Sequence, residues 1–451
     1  MSDGIPQIGG RIRQLRRQKS LSQARLAQEL GISASYLNLI EHNRRKLTVP
    51  LLLTLAQKFG LEIGDLTSGD EQRLSGDLME MFADDLFGDV DVTNHDVREF
   101  ANSSPAVARS IVLLYDKFRE VRENPSGQVD GANQERLASE QVSDFLQVNG
   151  NYFQPLEDVA ARVIGDLGHG APEVNRLSGY LLNVFGISVS VGPLDDRATV
   201  FEPDRAVLTV SDILPIPSRL FAIAKVIGEQ AARFEISTLV ESAQFSHQSV
   251  ERLGASALAS YVAGAILMPY RPFLKAAEDS RYDVDRLSLR FNVSFEQICH
   301  RLTTLQRPGA SGVPFHLIRT DIAGNVSKRF SNSGIQIPRH GGACPRWNVY
   351  EAFMQPGRIT IQVSQMPEGG KFFCIARTLM KGENRHNGDV KHMSIGLGCD
   401  LDQARRLVYS DGYDLAEPSR VTPVGVSCRI CPRQNCSSRA FPALDEVPRA
   451  G

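Results

Sequence analysis

Three cysteines fall close together near the C-terminal end of the chain, in the string Cys428-Arg-Ile-Cys431-Pro-Arg-Gln-Asn-Cys436. Thiolates at C-x-x-C-x-x-x-x-C spacing can converge on one metal centre. Zinc would close a tetrahedron with a fourth ligand, for which Cys399 or a histidine would serve. An iron-sulfur cubane would take the three thiolates plus an external or distant ligand. Three free thiols in a loop is the bland alternative. Pro432 and the basic residues Arg429, Arg433 and Arg439 fit a metal-wrapped loop better, because guanidinium groups offset the charge of an anionic cluster. The chain holds seven cysteines in all, and this clustering points to a metal in a reduced compartment, not to a disulfide framework.

A second chemistry sits at the other end. Between Ile8 and Lys46 the basic residues Arg11, Arg13, Arg16, Arg17, Lys19, Arg25, Arg44, Arg45 and Lys46 face only Glu29 and Glu41. Apolar positions Ile8, Ile12 and Leu15, then Leu26, Ala27 and Leu30, then Tyr36, Leu37 and Ile40 mark three helices, with Gly31 turning the second into the third. Ser22 and Ser33 can each cap the helix that follows, since a hydroxyl there accepts from an otherwise orphan backbone N–H. This geometry places Ser33, Ala34, Ser35, Tyr36 and Asn38 in a major groove, with Gln23, Arg44 and Arg45 near phosphates. The string SLSQARLAQELGISASYLNLIEHNRR resembles the Xre family of Cro and lambda-repressor type helix-turn-helix domains. The partner this implies is double-stranded operator DNA, read by a homodimer or higher homo-oligomer.

The middle of the chain resembles the ImmA/IrrE metallopeptidases. Their pattern R-x-F-x-x-A-H-E-x-x-H aligns with Arg219-Leu220-Phe221-Ala222-Ile223-Ala224-Lys225-Val226-Ile227-Gly228-Glu229, and a later A-N-x-F-A-x-x-L-L-M-P pattern aligns with Ala259 to Pro269. Zinc hydrolysis on such a helix needs two imidazoles four residues apart and a carboxylate base. Lys225, Val226 and Glu229 stand in those places. A cationic lysine repels the metal and valine cannot act as a base, so the expectation is a scaffold with no catalytic residues. The alternative, a metal-dependent hydrolase aimed at DNA or a DNA-bound repressor, lacks its ligands. His300 reads as a helix-surface residue.

The strings GVPFHLIRTDIAGNVSKRF, GGACPRWNVYEAF, GLGCD and VGVSCRICPRQNCSSRAFP resemble the C-terminal domain of the short-chain fatty acyl transcriptional regulators, bacterial proteins that also join an Xre head to a degenerate ImmA/IrrE-like domain. The resemblance spans nearly the whole chain in the same order. It implies a regulator of propionate, acetate or related metabolism that senses a short-chain acyl-CoA such as propionyl-CoA or acetyl-CoA, and an iron-sulfur cluster, expected as 4Fe-4S, on the cysteine motif. A CoA ligand brings phosphates and a purine, so its site needs cationic donors beside flat apolar surface. The segment 313–350 offers Arg319, Lys328 and Arg329 as phosphate partners, with Phe315, Trp347 and Tyr350 as stacking or wall residues. Gly324 and Asn325 fit a tight turn between strands.

Elements that must position these groups follow from patterning. The chain has 451 residues, a length for roughly three domains, and its formal charge of -2 gives no global pull toward nucleic acid or membrane. With 42% hydrophobic and 23% charged residues, wholesale disorder and fibrous architecture are excluded. The opening MSDGIPQIGG lacks a signal-peptide pattern and no long apolar run follows, so a cytoplasmic protein without membrane partners is expected. Residues 1–67 read as the helix-turn-helix. Residues 68–133 read as an acidic helical connector and linker, with Leu74, Leu78, Met81 and Phe82 on one helix, Val107, Ile111, Leu114, Phe118 and Val121 on another, and a possible dimer contact. Residues 134–310 form the ImmA/IrrE-like part and 311–451 the C-terminal domain. The fold class expected is multidomain, mainly α in the N-terminal half and α+β in the C-terminal half.

Overall fold

The computed structural model describes residues 12, 16, 21–41, 45, 47–48, 50–51, 54–55, 58, 70–87, 92–123, 131–168, 170, 172–194, 197–338, 342–382, 390–415, 417–428 and 430–440. Two compact units emerge, residues 1–123 with 443–451, and residues 124–442. Arg44 and Arg429 lie outside the described residues, as does the 124–130 part of the expected linker. Residues 131–133 already belong to a helix.

In the first unit, α1 (Gln23–Glu29) and α2 (Ala34–Glu41) are joined by a tight turn in which Gly31 has φ +67°. That left-handed conformation suits glycine. Ser22 Oγ accepts from Arg25 N and Ser33 Oγ from Tyr36 N, both at 3.1 Å, so both helices start where a hydroxyl can close them. Ile12, Leu26, Ala27, Leu30, Leu37, Ile40, Leu47, Leu51 and Leu55 form the core of this head. Helices α3 (Asp70–Phe82), α4 (Asn94–Ser103) and α5 (Pro105–Glu123) pack together, with a capping box at Thr93 and Asp96 opening α4. Leu74, Leu78 and Met81 are buried as their spacing predicts. On α5, Ala108, Val112, Tyr115 and Arg119 are buried, whereas Val107, Leu114 and Phe118 of the apolar series are exposed. The helix carries a second apolar stripe beside its packed face.

The second unit begins with α6 (Gly131–Val148), α7 (Gln154–Leu167) and α8 (Val174–Phe185). A small sheet follows, with β1 (Ser188–Gly192) parallel and β2 (Thr199–Glu202) antiparallel to the central β3 (Val207–Ser211). Then come α9 (Ile216–Ala231), α10 (Arg233–Ala243), α11 (Gln248–Leu267), α12 (Tyr270–Asp279), α13 (Val284–Phe291) and α14 (Phe295–Thr303). By length and apolar composition α11 could cross a membrane. It is instead a core helix, with Leu258, Ala259, Val262, Ala263, Ala265 and Ile266 fully buried. Gly228 lets α9 lie directly on it: a Cβ there would stand 3.0 Å from Ala259 O. A buried ion pair locks this part, since Arg301 holds Glu157 through two bonds of 2.6 and 3.0 Å, Tyr261 donates to the same carboxylate at 2.7 Å, and Arg301 Nε donates to Met268 O.

The larger sheet runs β5 (Val326–Ser331), β4 (His316–Asp321), β8 (Val390–Asp400), β7 (Lys371–Gly382), β6 (Thr360–Gln365), β9 (Val421–Pro423), antiparallel except for the β6–β9 pair. The β4–β5 turn uses Gly324 at φ +88°, as expected. A short helix α15 (Asn348–Glu351) lies on one face, where Gly396 leaves room for Val349. The helical part and this sheet share one hydrophobic core, running from Phe153 through Leu302 and Phe315 to Leu407. Gln147 clamps the backbone of Ser331 with two bonds. A core of that continuity makes the two parts one mechanical body.

Candidate functional site

In the head, burial of Leu37 and Ile40 turns Ser33, Ala34, Ser35, Asn38 and Leu39 outward as one exposed strip at the start of α2. A helix N-terminus carrying short polar side chains is what enters a major groove in this motif. Gln23 Nε2 donates to Asn38 Oδ1 at 3.3 Å and Glu41 Oε2 at 3.0 Å, so it braces α1 against α2. Glu41 is buried and held bidentately by Arg16. Tyr36 is half-buried against the core, with the exposed Arg45 guanidinium 5.5 Å from its ring centre. The head therefore presents exposed polar side chains on α2 with a cation at the helix's far end.

At the place of the metallopeptidase ligands, Lys225 donates to Ser256 Oγ at 2.7 Å and stands 4.0 Å from Glu229 Oε1. Partial burial raises the Glu229 carboxyl above its ordinary range, against the pull of Lys225. Val226 is turned into the core. These groups hold one another by an ammonium and leave no imidazole on the helix face.

The six residues expected around CoA are not brought into one pocket. Phe315 is fully buried, stacked edge-on to Tyr282 at 5.5 Å. Trp347 is core as well, donating Nε1 to Gly425 O at 3.0 Å. Arg319 is spent on Glu296 and Ser327, both at 2.8 Å. Lys328 and Arg329, being consecutive on β5, point to opposite faces. Lys328 Nζ is exposed 3.4 Å from His300 Nε2, while Arg329 pairs with Asp144 at 3.3 Å. Burial, then the Lys328 charge, lower the His300 pKa to about 4. Tyr350 packs 3.7 Å from where a Gly324 Cβ would be. Thus Arg319 and Lys328 share one edge with Glu296 and His300, and the other four lie elsewhere.

A combination of cation and flat ring that patterning did not reveal lies at Arg307. Its guanidinium sits 4.3 Å from the Tyr270 ring centre, Nε donates to Tyr152 OH at 2.8 Å, and the two tyrosine rings meet edge-on at 5.8 Å. Desolvation pushes the Tyr270 phenol up to about 12. The neighbouring Gln306 Nε2 is buried with no hydrogen-bond partner. The three residues come from separate helices or loops, so no sequence spacing joins them.

A fourth cysteine lies beside the loop. Cys344, Cys428, Cys431 and Cys436 line one small pocket together with Pro345, Ser427, Ser438 and Arg439. Cys399, the fourth ligand considered from sequence, is instead fully buried on β8 opposite Phe373. Cys344 N donates to Val426 O at 2.9 Å, tying the distant donor to the loop, and burial pushes its thiol pKa up. Gly425 is required: a Cβ there would stand 2.8 Å from Cys431 Sγ. Arg433 and Arg439 donate to backbone carbonyls of Val424, Gln365, Cys428 and Cys431, so they staple the loop. Among the described residues no three His, Cys, Asp or Glu side chains are arranged to hold a single metal ion. A pocket lined by four thiols supplies the all-sulfur donor set that an iron-sulfur cluster takes.

The comparisons with known proteins agree with this layout. Residues 12–66 match the helix-turn-helix family, 182–303 the IrrE N-terminal-like domain, and 304–449 the short-chain fatty acyl coenzyme A regulator C-terminal domain. The chain is 39% identical over 449 residues to the HTH-type transcriptional regulator PrpR of Mycobacterium tuberculosis, covering 97% of this chain and 92% of that one. It is 35% identical over 443 residues to the propionyl-CoA carboxylase regulator of Cereibacter sphaeroides, covering 97% and 95%. A solved Mycobacterium tuberculosis transcriptional regulator superposes with a TM-score of 0.66 at 41% identity, over 68% of this chain and 94% of the other. The chain is a DNA-binding transcriptional regulator built on a non-catalytic IrrE-like scaffold, and it belongs to the short-chain fatty acyl coenzyme A regulator family.

Proposed function

We propose that this regulator acts in the cytoplasm as a homodimer whose affinity for a palindromic operator is set by a short-chain acyl-CoA, propionyl-CoA or acetyl-CoA. The regulated genes would serve propionate or acetate metabolism, in keeping with a relative named for propionyl-CoA carboxylase. The observation that carries the ligand reading is Arg307 lying on Tyr270, with the preceding residue, Gln306, holding a buried, unpartnered Nε2. A guanidinium over a ring offers phosphate contact and purine stacking together, and an orphan buried donor is an acceptor's place. Lys328, on the β4–β5 edge, is the alternative phosphate contact in the same unit.

Dimerisation is assigned to the outward stripe of α5, because the exposed Val107, Leu114 and Phe118, with the half-buried Ile111, recur at helical spacing. Two helix-turn-helix heads reading half-sites about one helical turn apart need such a two-fold contact. Cys344, Cys428, Cys431 and Cys436 would hold a 4Fe-4S cluster, which supplies a redox-responsive brace between the loop and the segment leading into α15.

Calorimetry on the full chain tests the ligand. Propionyl-CoA should bind, and Arg307→Ala should weaken binding roughly tenfold or more, as expected for loss of a charged hydrogen bond. A loss confined to Lys328→Ala would move the site to the β4–β5 edge, and no binding to either acyl-CoA would overturn the reading. Anaerobic protein should be brown, and colourless protein with stoichiometric zinc would replace the cluster by a zinc loop.

A further inference from the structure

A cleft of about 480 Å3 opens between the C-terminal half of α9, α10 and the N-terminal half of α11. Its walls are Glu229, Arg233, Ile236, Ser237, Val240, Gln248, Glu251, Arg252, Ala255 and Ser256. Its volume falls within the range of sites for small organic ligands. Lys225, at the position of the peptidase ligands, lies behind this lining, bonded to Ser256 Oγ and 4.0 Å from Glu229 Oε1. Where a metallopeptidase would keep a dication that polarises a substrate oxygen, this chain keeps a fixed ammonium.

We infer that this cleft is a second effector site, and that it takes a small organic acid bearing two or more carboxylates. Neither Arg233 nor Arg252 is paired with a carboxylate among the described residues; Arg252 meets only Gln248 Oε1, at 3.1 Å. Guanidinium groups match carboxylates bidentately, so the rim can take two carboxylates. Two arginines and two glutamates balance in the lining, but neither arginine is paired with a glutamate among the described residues, so both guanidinium groups remain open to an anion. Ile236, Val240 and Ala255 give an aliphatic wall for a short carbon backbone, and no aromatic ring is present among the lining residues to stack a nucleobase. The acyl-CoA reading uses other residues, so the two sites stand or fall separately.

Binding here changes no covalent bond. Ser256 lies within α11, where backbone N–H groups are committed to the helix, so no oxyanion hole accompanies the lysine-serine contact.

The test titrates the full chain with tricarballylate, with propionate as a single-charge control, following heat of binding and melting temperature. Tricarballylate should bind and raise the melting temperature, while propionate at equal concentration should not. Arg233→Gln/Arg252→Gln should weaken binding roughly tenfold or more while leaving the ligand-free melting temperature unchanged, because both groups are exposed. Arg233→Lys should restore part of the affinity on the Arg252 background. Saturating propionyl-CoA should leave tricarballylate binding in place. Absence of binding, binding unchanged in the double glutamine variant, or binding only of an acidic peptide would each overturn the proposal.

Discussion

Replacing His316 by glutamine should flatten the loss of stability that the 124–442 unit suffers on acidification. His316 is 5% exposed on β4, with Nδ1 2.7 Å from Ser333 Oγ and Nε2 3.5 Å from Cys374 Sγ. A Cβ at Gly398 would come within 2.4 Å of its ring, so little water can reach it. Burial lowers its pKa from the ordinary 6.5 to about 3. The unfolded chain therefore binds a proton between those values that the folded chain refuses. Stability from this group is fully present above the unfolded pKa and is lost as pH falls from about 6.5 toward about 3. Between about pH 7 and about pH 5 the loss comes to about 2 kcal/mol, from 1.36 kcal/mol per unit below the unfolded pKa. The chain holds one tryptophan, Trp347, within this unit, so urea unfolding followed by its fluorescence reports the right body. The wild-type protein should lose about 2 kcal/mol more than His316→Gln over that interval, the other histidines cancelling in the difference. Equal losses would show that His316 titrates in the folded state and would refute the buried, neutral assignment.

Other consequences follow from particular contacts. Glu157→Gln should destabilise the same unit by about 3–5 kcal/mol, since it strands the buried Arg301 charge, and chemical denaturation would show it. Ser33→Ala should cost about 1 kcal/mol through the lost cap of α2, whereas Ser35→Ala should change operator preference in a binding-site selection with stability intact. Trp347 is adjacent to the cysteine pocket through Gly425 O and Cys344 O, so loading an iron-sulfur cluster should quench its emission and Cys344→Ser should abolish the quenching.

The recognition helix was legible from sequence because everything that defines it is local: two serine caps, a glycine that can turn left-handed, and apolar residues three and four apart. The cysteine loop was legible for the same reason, but its fourth thiol was not. Cys344 reaches the loop only because Val426 O accepts from its backbone across a long excursion of chain. Arg329 and Trp347 show the converse error. Residue type marked them as ligand groups, yet a partner from a distant helix, Asp144, and a loop carbonyl, Gly425 O, already engage them. The stripe on α5 was legible as a helix face, but period alone cannot tell a packed face from one left for a partner. The loss of the peptidase ligands could be read from three residue types, whereas the cleft above them needed α10 and α11 in place.

The central claim is that acyl-CoA binding and operator binding are coupled. A ligand shifts affinity only when it binds the two states unequally, so the direct measurement is fluorescence anisotropy of a labelled operator titrated with the full chain, with and without saturating propionyl-CoA. Operator affinity should shift with ligand, and the shift should disappear in Arg307→Ala and not occur with a head lacking residues 124–442. An unchanged operator affinity, with propionyl-CoA shown to be bound, would contradict the coupling.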